Sequence, residues 1–242
     1  MRISHKYKFV YISIEKTGST SIRIALDNLC IDPKLAETIN YEKEYNHGYI
    51  VSNSDDTHLL FHHSPLKNVH RFFEVQGWDW KKYKKFTFIR HPVDRLLSHY
   101  FFHKQDRGFP HIKNRESLPE GYKLLVDTSK KYDFNDWVEW IYNHKEFEHS
   151  QHGDYLIDSG NVPIQSHYLY DMDNKPIDYT GKSEQSQLDF DYICENIGIP
   201  KLELSRANST GPRKKYTEYC NASTLNLINK VYKADYDLYR DG

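Results

Sequence analysis

Apolar and polar positions along the chain switch between the period of a strand and the period of a helix. Residues 8–14 (KFVYISI) are a β-branched and aromatic run, the pattern of a buried strand. A short polar loop follows, and Ile22, Ala25, Leu26 and Leu29 then recur at helical spacing until Asp32-Pro33 closes the helix. Leu59-Leu60-Phe61 reads as a short strand stopped at His62-His63-Ser64-Pro65. Trp78 to Lys85 is a basic, aromatic approach to a strand over Phe86 to Ile89. That strand ends at Arg90-His91, and Pro92 suits the first turn of a helix marked by Val93, Leu96, Leu97, Tyr100 and Phe101. Asn135 to His144 reads as helical, and Tyr179 to Lys182 as a last short strand. Leu188, Tyr192, Ile193 and Ile197 mark a helix ended by Gly198 and Pro200, and Leu225, Ile228, Val231 and Tyr232 a terminal one. Residues 36–57 read as an irregular excursion. Residues 107–130, with Gly108, Pro110, Pro119 and Gly121, read as a long surface loop, and residues 150–177 as turns and short extended pieces. Strands alternating with helices predict an α/β fold, a central parallel sheet flanked by helices on both faces. The length, 242 residues, suits one domain over 1–242.

Composition narrows the function. Lys and Arg number 33 against 34 Asp and Glu, so nothing in the total charge asks for nucleic acid or an anionic membrane surface, and an anion site must come from local clustering. Aromatic residues at 15% favour a folded domain over disorder. Cys30, Cys194 and Cys220 are scattered and odd in number, without metal spacing, which points to a reduced, cytoplasmic setting. The polar, basic start runs straight into an apolar run too short for a signal-peptide core, and no stretch is long enough to span a bilayer. The expectation is a soluble protein with no membrane partner.

Two segments carry chemistry. The first is EKTGSTS, Glu15 to Ser21, between strand and helix. N–H groups at a helix start, with the positive end of its dipole, make an anion site. Gly18 allows close backbone approach; Thr17, Ser19, Thr20 and Ser21 add hydroxyls; Lys16 adds a full charge. A Walker A loop places its Lys after the last Gly. Here Lys16 comes two residues before Gly18, which disfavours kinases and GTPases. A lone TGST is equally explained as a capped helix start. The second segment, FTFIRHPVDRLLSHY, puts Arg90 at a strand end and Ser98 about two helical turns on. Strand carboxyl ends in a parallel sheet line one crevice, so Lys16 and Arg90 should face it together. An Arg fork with a Ser hydroxyl suits a phosphate monoester.

Together these segments resemble the two cofactor signatures of the sulfotransferases that use 3′-phosphoadenosine 5′-phosphosulfate (PAPS): KTGSTS for the 5′-phosphosulfate, RHPVDRLLSHY for the 3′-phosphate. The closest flavour is the carbohydrate branch, with heparan 2-O- and chondroitin sulfotransferases and bacterial relatives. QSHYLYD at 165–171, DYTGKSEQSQLDFDYIC at 178–194 and LSRANSTGPRKKY at 204–216 are similar to those relatives too, so the resemblance covers most of the chain and is weak over 31–57 and 105–145. The resemblance implies a three-layer P-loop-like fold and sulfuryl transfer from PAPS, without a metal, to a hydroxyl of a glycan or small polar metabolite. It makes Lys16 the group at the bridging oxygen, and Lys16 to Ser21, Arg90 and Ser98 the cofactor site. It adds Arg213 and Lys214 for the 3′-phosphate or the adenosine, and Gly181 and Lys182 near the adenine. It implies a histidine base after a strand: His63, with His62 as rival. Glu184 stays open as a second acid or base, and His91 is read as structural. Lys81-Lys82-Lys84-Lys85 and Arg213-Lys214-Lys215 either line a cleft for an anionic polysaccharide or are solvated faces. Two alternatives remain at this stage: a nucleotide-dependent kinase, and a non-catalytic adenosine 3′,5′-bisphosphate-binding protein of the same fold.

Overall fold

The structure, a computed structural model, describes residues 1–30, 44–45, 48–50, 60, 62–108, 114–118, 120–143, 162–205 and 215–241. The chain packs as two compact units, Met1–Arg90 with Gln165–Ser209, and His91–Ile164 with Thr210–Asp241.

The first unit is built on a sheet. β1 (Arg2–Ser4) and β2 (Phe9–Ile12) form an antiparallel hairpin. β4 (Gly48–Ile50) pairs antiparallel with β1, and β3 (Glu44–Tyr45) with β4. On the other side β2 runs parallel to β5 (Lys84–Ile89), and β5 parallel to β6 (Tyr179–Lys182). The order is β3-β4-β1-β2-β5-β6. The expected parallel sheet is therefore mixed. The few residues between β1 and β2 can close a hairpin but not the crossover that parallel neighbours need. Residues 44–45 and 48–50, read as part of an irregular excursion, are strands. Leu60 is buried and in no strand, while residues 59 and 61 lie outside the described residues.

Strand alternation sends Phe9, Tyr11, Phe86 and Phe88 to one core. There they meet Ile22, Leu26 and Leu29 of α1 (Ser19–Cys30) and Phe190, Ile193 and Cys194 of α6 (Ser186–Ile197). Burying one such side chain stabilises by roughly 1.5–3 kcal/mol. α2 (Leu66–Gln76) starts behind Pro65 and ends at Gly77 in the left-handed region, φ 69°. Leu66, Val69, Phe72 and Phe73 are its buried stripe, a helical period the sequence reading passed over.

The second unit is helical: α3 (Pro92–Lys104), α4 (Glu120–Lys131), α5 (Phe134–Asn143), α7 (Ala222–Val231) and α8 (Lys233–Asp241). Val93, Leu96, Leu97, Tyr100, Leu125, Trp137 and Ile228 share its core. α4 corrects the long loop expected over 107–130. Its Gly121 lies in the first turn, where the backbone still lacks intrahelical partners, so it does not break the helix. Tyr122, Leu125, Val126 and Ser129 bury one face. Among the described residues no helix is long and apolar enough to cross a membrane.

Candidate active site

β2 leaves the sheet at Ile12, and the chain turns through Glu15–Gly18 into α1. Lys16 and Gly18 have positive φ, 61° and 78°, whereas Glu15, Thr17 and Ser19 do not. Alternating signs of φ swing successive N–H groups toward one concave side, an anion-binding nest, directly before a helix N-terminus. The first turn of α1 holds no acidic residue to oppose an anion. The Thr17 hydroxyl donates to the Ile14 carbonyl, 2.9 Å, so this buried side chain closes the loop and leaves its backbone to face a ligand.

The parallel pairing of β2 and β5 brings Arg90 alongside. One guanidinium nitrogen donates to the Lys16 carbonyl, 3.2 Å. Gln165, fully buried, clamps the Arg90 backbone from both ends: Arg90 N–H donates to Oε1, 2.8 Å, and Nε2 donates to the Arg90 carbonyl, 2.9 Å. After β6, the Ser183 hydroxyl lies 2.6 Å from the Thr17 carbonyl and 2.9 Å from that of Ile89, its proton serving both. A single hydroxyl thus ties the loop to the ends of β5 and β6. A groove of about 410 Å³ opens here between Gly18, Ser21 and Ile22 and residues 183–188, with Leu204 and Ser205 at its end. Gly181 does not reach it: a Cβ there would stand 2.5 Å from Phe88 Cε1, so this glycine belongs to the core.

His62 and His63 sit in a turn, not on a strand, so no strand alternation separates their side chains. Their rings lie 4.2 Å apart, inclined by 31°. The Arg23 guanidinium is 3.2 Å from His62 Nδ1. Arginine only donates, so His62 Nδ1 accepts and the ring proton of neutral His62 is on Nε2. His63 Nδ1 lies 2.6 Å from the Ser13 carbonyl, which only accepts, so His63 carries its proton on Nδ1. Nε2 of His63 is then the basic nitrogen, 4.0 Å from Glu15 Oε1. Arg23 also donates to the Ser19 carbonyl, 3.4 Å, and to Thr20 Oγ1, 3.3 Å. Burial, and then the nearby Arg2, push the Arg23 guanidinium down to about 10, still charged at neutral pH.

The sulfotransferase family model matches residues 1–240, a range running through both units. The chain belongs to the sulfotransferase family. No curated protein matches it.

In this sulfotransferase Ser98 lies on α3, buried in the second unit, whereas Arg90 ends the first. His91 opens the second unit. Its ring stacks on Tyr216 at 5.0 Å and meets the edges of Tyr236 and Tyr239 at 5.5 and 5.3 Å, which agrees with a structural part. Arg213 and Lys214 lie outside the described residues. His70, Asp171 and Asp173 offer ligand atoms within 4.8 Å of one another. Asp171 already takes the Trp80 indole N–H, 2.9 Å, and the N–H groups of Asp173 and Lys175. Burial alone would raise the Asp171 carboxyl, but those donors outweigh it and hold it below the ordinary value. Sequence reasoning missed Glu15, Arg23, Gln165 and Ser183. Glu15, Gln165 and Ser183 stood in quoted motifs, but nothing in sequence spacing joins Arg23 to His62.

Proposed function

We propose that this sulfotransferase takes PAPS as donor and transfers its sulfuryl group to a hydroxyl of a carbohydrate or small polar metabolite. The observation that carries this reading is the loop Glu15–Gly18, with alternating φ signs, at the carboxyl end of β2 and bonded to Arg90 at the end of β5. Its N–H groups and Lys16 suit the 5′-phosphosulfate, and the groove beside Gly18 and Ser21 suits the nucleoside. On the same footing we assign a three-layer P-loop-like fold.

In the step itself the acceptor oxygen attacks sulfur in line with the bond to the bridging oxygen. A new S–O bond forms, the old one breaks, and its electron pair leaves on the 5′-phosphate of adenosine 3′,5′-bisphosphate. Lys16 and the helix N-terminus oppose the charge that builds there. His63 Nε2 takes the acceptor proton; a positioned base typically contributes about 10²–10⁴-fold. The Ser13 carbonyl takes the Nδ1 proton, so the lone pair of the neutral ring is on Nε2.

The test is a panel of hydroxylated acceptors incubated with labelled PAPS, with and without EDTA, scored by the acceptor's gain of one sulfuryl mass. Transfer that survives EDTA and falls about 10²–10⁴-fold in His63→Ala supports the reading. Activity lost to EDTA and restored by magnesium with ATP would move the protein to the kinases. Stoichiometric binding of adenosine 3′,5′-bisphosphate without turnover on any acceptor would make it a binding protein.

A further inference from the structure

The two adjacent histidines are surrounded by groups of opposite sign, and the asymmetry is local. His62 faces Arg23, whose guanidinium donates to its Nδ1. His63 faces Glu15, a carboxylate 11% exposed and 4.0 Å from Nε2. We propose that Glu15 and Arg23 are positioning residues that divide the protons between the pair: Glu15 makes His63 the proton acceptor and Arg23 keeps His62 a neutral donor. The proposal rests on the sulfuryl-transfer reading for its catalytic meaning, and on geometry alone for the proton placement.

The physics follows from the inventory around the rings. A proton arriving at His63 Nε2 creates an imidazolium beside the Glu15 carboxylate, an attraction the neutral ring lacks, so the protonated state gains. An opposite charge within about 4–6 Å typically favours the charged form by one pK unit or more. A proton arriving at His62 Nδ1 must displace the Arg23 hydrogen bond and stand 3.2 Å from a full positive charge. Both terms disfavour it. Among the described residues, the other charges named here do not reverse the order. Lys16 follows Glu15 in the loop and opposes protonation of either ring. The Ser13 carbonyl holds the His63 Nδ1 proton in both states. Arg2 pairs with Asp27 behind Arg23, and the Met1 amino group donates to the His62 carbonyl, 3.0 Å. That amino group is itself pushed well below its ordinary value by burial.

The chemical consequence concerns both ends of the acceptor hydroxyl's bond. As the O–H bond breaks, its proton passes to His63 Nε2 and the imidazolium is held by Glu15 until it is released to solvent. His62 keeps its proton on Nε2 throughout and does not compete. Paired groups whose surroundings push them apart are how one site assigns base and donor roles.

The experiment is long-range ¹H–¹⁵N correlation on protein labelled at histidine nitrogens, titrated from acid to alkaline pH. His62→Gln and His63→Gln spectra supply the assignments. The neutral form of His62 should carry its proton on Nε2 and that of His63 on Nδ1, with His63 protonating at the higher pH. Glu15→Gln should lower the proton affinity of His63 about tenfold, and Arg23→Met should raise that of His62 by a similar factor. A reversed tautomer at either ring, or midpoints that stay put in both variants, would overturn the proposal. With an acceptor from the panel, Glu15→Gln should also move the acidic limb of the kcat/KM profile to lower pH by the shift seen at His63. An unmoved limb would sink the positioning role. A protein that transfers no sulfuryl group at all defeats the functional reading instead, and the spectra still judge where the protons sit.

Discussion

Lys16 stands in the left-handed region at φ 61°, where a side chain costs roughly 1–2 kcal/mol. Glycine would hold that backbone without strain, so on the proposed reading the lysine serves by its charge, against the local stability of the loop. Two substitutions separate these contributions. Lys16→Gly should hold the melting temperature or raise it slightly, a net gain of up to about 1 kcal/mol once the freer unfolded chain is counted, while transfer collapses. Gly18→Ala should do the reverse to stability. There is open space for the methyl group, but φ 78° costs about 1–2 kcal/mol, so the protein should melt earlier and bind nucleotide more weakly. Thermal unfolding of both variants beside nucleotide titration checks the pair; a destabilised Lys16→Gly protein would mean the lysine side chain holds the loop. The loop's place was legible because a strand period stops before it and a helical period starts after it, with small residues between. Glu15 was read as a loop residue, because its part depends on His63 arriving from 48 positions away, a meeting that only the folded chain makes.

At the scale of elements, β6 decides how the loop is held. Gly181 lets β6 lie flat on Phe88, which in turn packs on Phe190 of α6 with ring centres 6.3 Å apart. Two residues on, Ser183 bonds the loop and the end of β5. Gly181→Ala puts its Cβ on the Phe88 ring, and overpacking of this kind costs about 1–3 kcal/mol. Displacing Phe88 should shift the strand that carries Ser183. The expected outcome is an earlier melt together with weaker binding of adenosine 3′,5′-bisphosphate, though the substitution touches no ligand. Unchanged affinity at reduced stability would show that loop and strand are not coupled in this way. Period and punctuation made β2, β5, α1 and α3 legible. They failed at α4, where Gly121 was read as part of a loop although the first turn of a helix tolerates it, and at β1, whose three residues are too few to show alternation. The parallel order of β2 and β5 was legible because a helix lies between them in sequence; the antiparallel extension on β1 was not, because short strands take their place from their neighbours.

Over the whole molecule the charges nearly cancel, so what matters is where each sign is placed. The sequence left Lys81-Lys82-Lys84-Lys85 open as the wall of an acceptor cleft. The register sets Lys84 opposite Phe9, at the amino ends of β5 and β2, whereas Lys16 and Arg90 leave from the carboxyl ends. Lys8 and Lys85 are engaged there with aromatic faces, 5.0 Å from the Tyr83 ring and 4.5 Å from the Trp80 ring. β5 is six residues long, so roughly 20 Å separates its two ends. The screening length at physiological ionic strength is about 8 Å, and a charge that far off is felt only faintly. Lys81, Lys82 and Lys84 are exposed, so their loss should not disturb packing. Replacing all three with Gln should therefore leave affinity for adenosine 3′,5′-bisphosphate within about twofold at physiological salt, with a somewhat larger change at low salt, where the screening length grows to about 30 Å. Arg90→Ala, by contrast, should cost about tenfold or more under both conditions, because a charge-assisted hydrogen bond to phosphate acts at contact distance. Calorimetric titration at two salt concentrations separates the cases. A tenfold loss in the triple variant at physiological salt would mean that the amino-end lysines reach the nucleotide, and the site would have to be redrawn around both ends of the sheet.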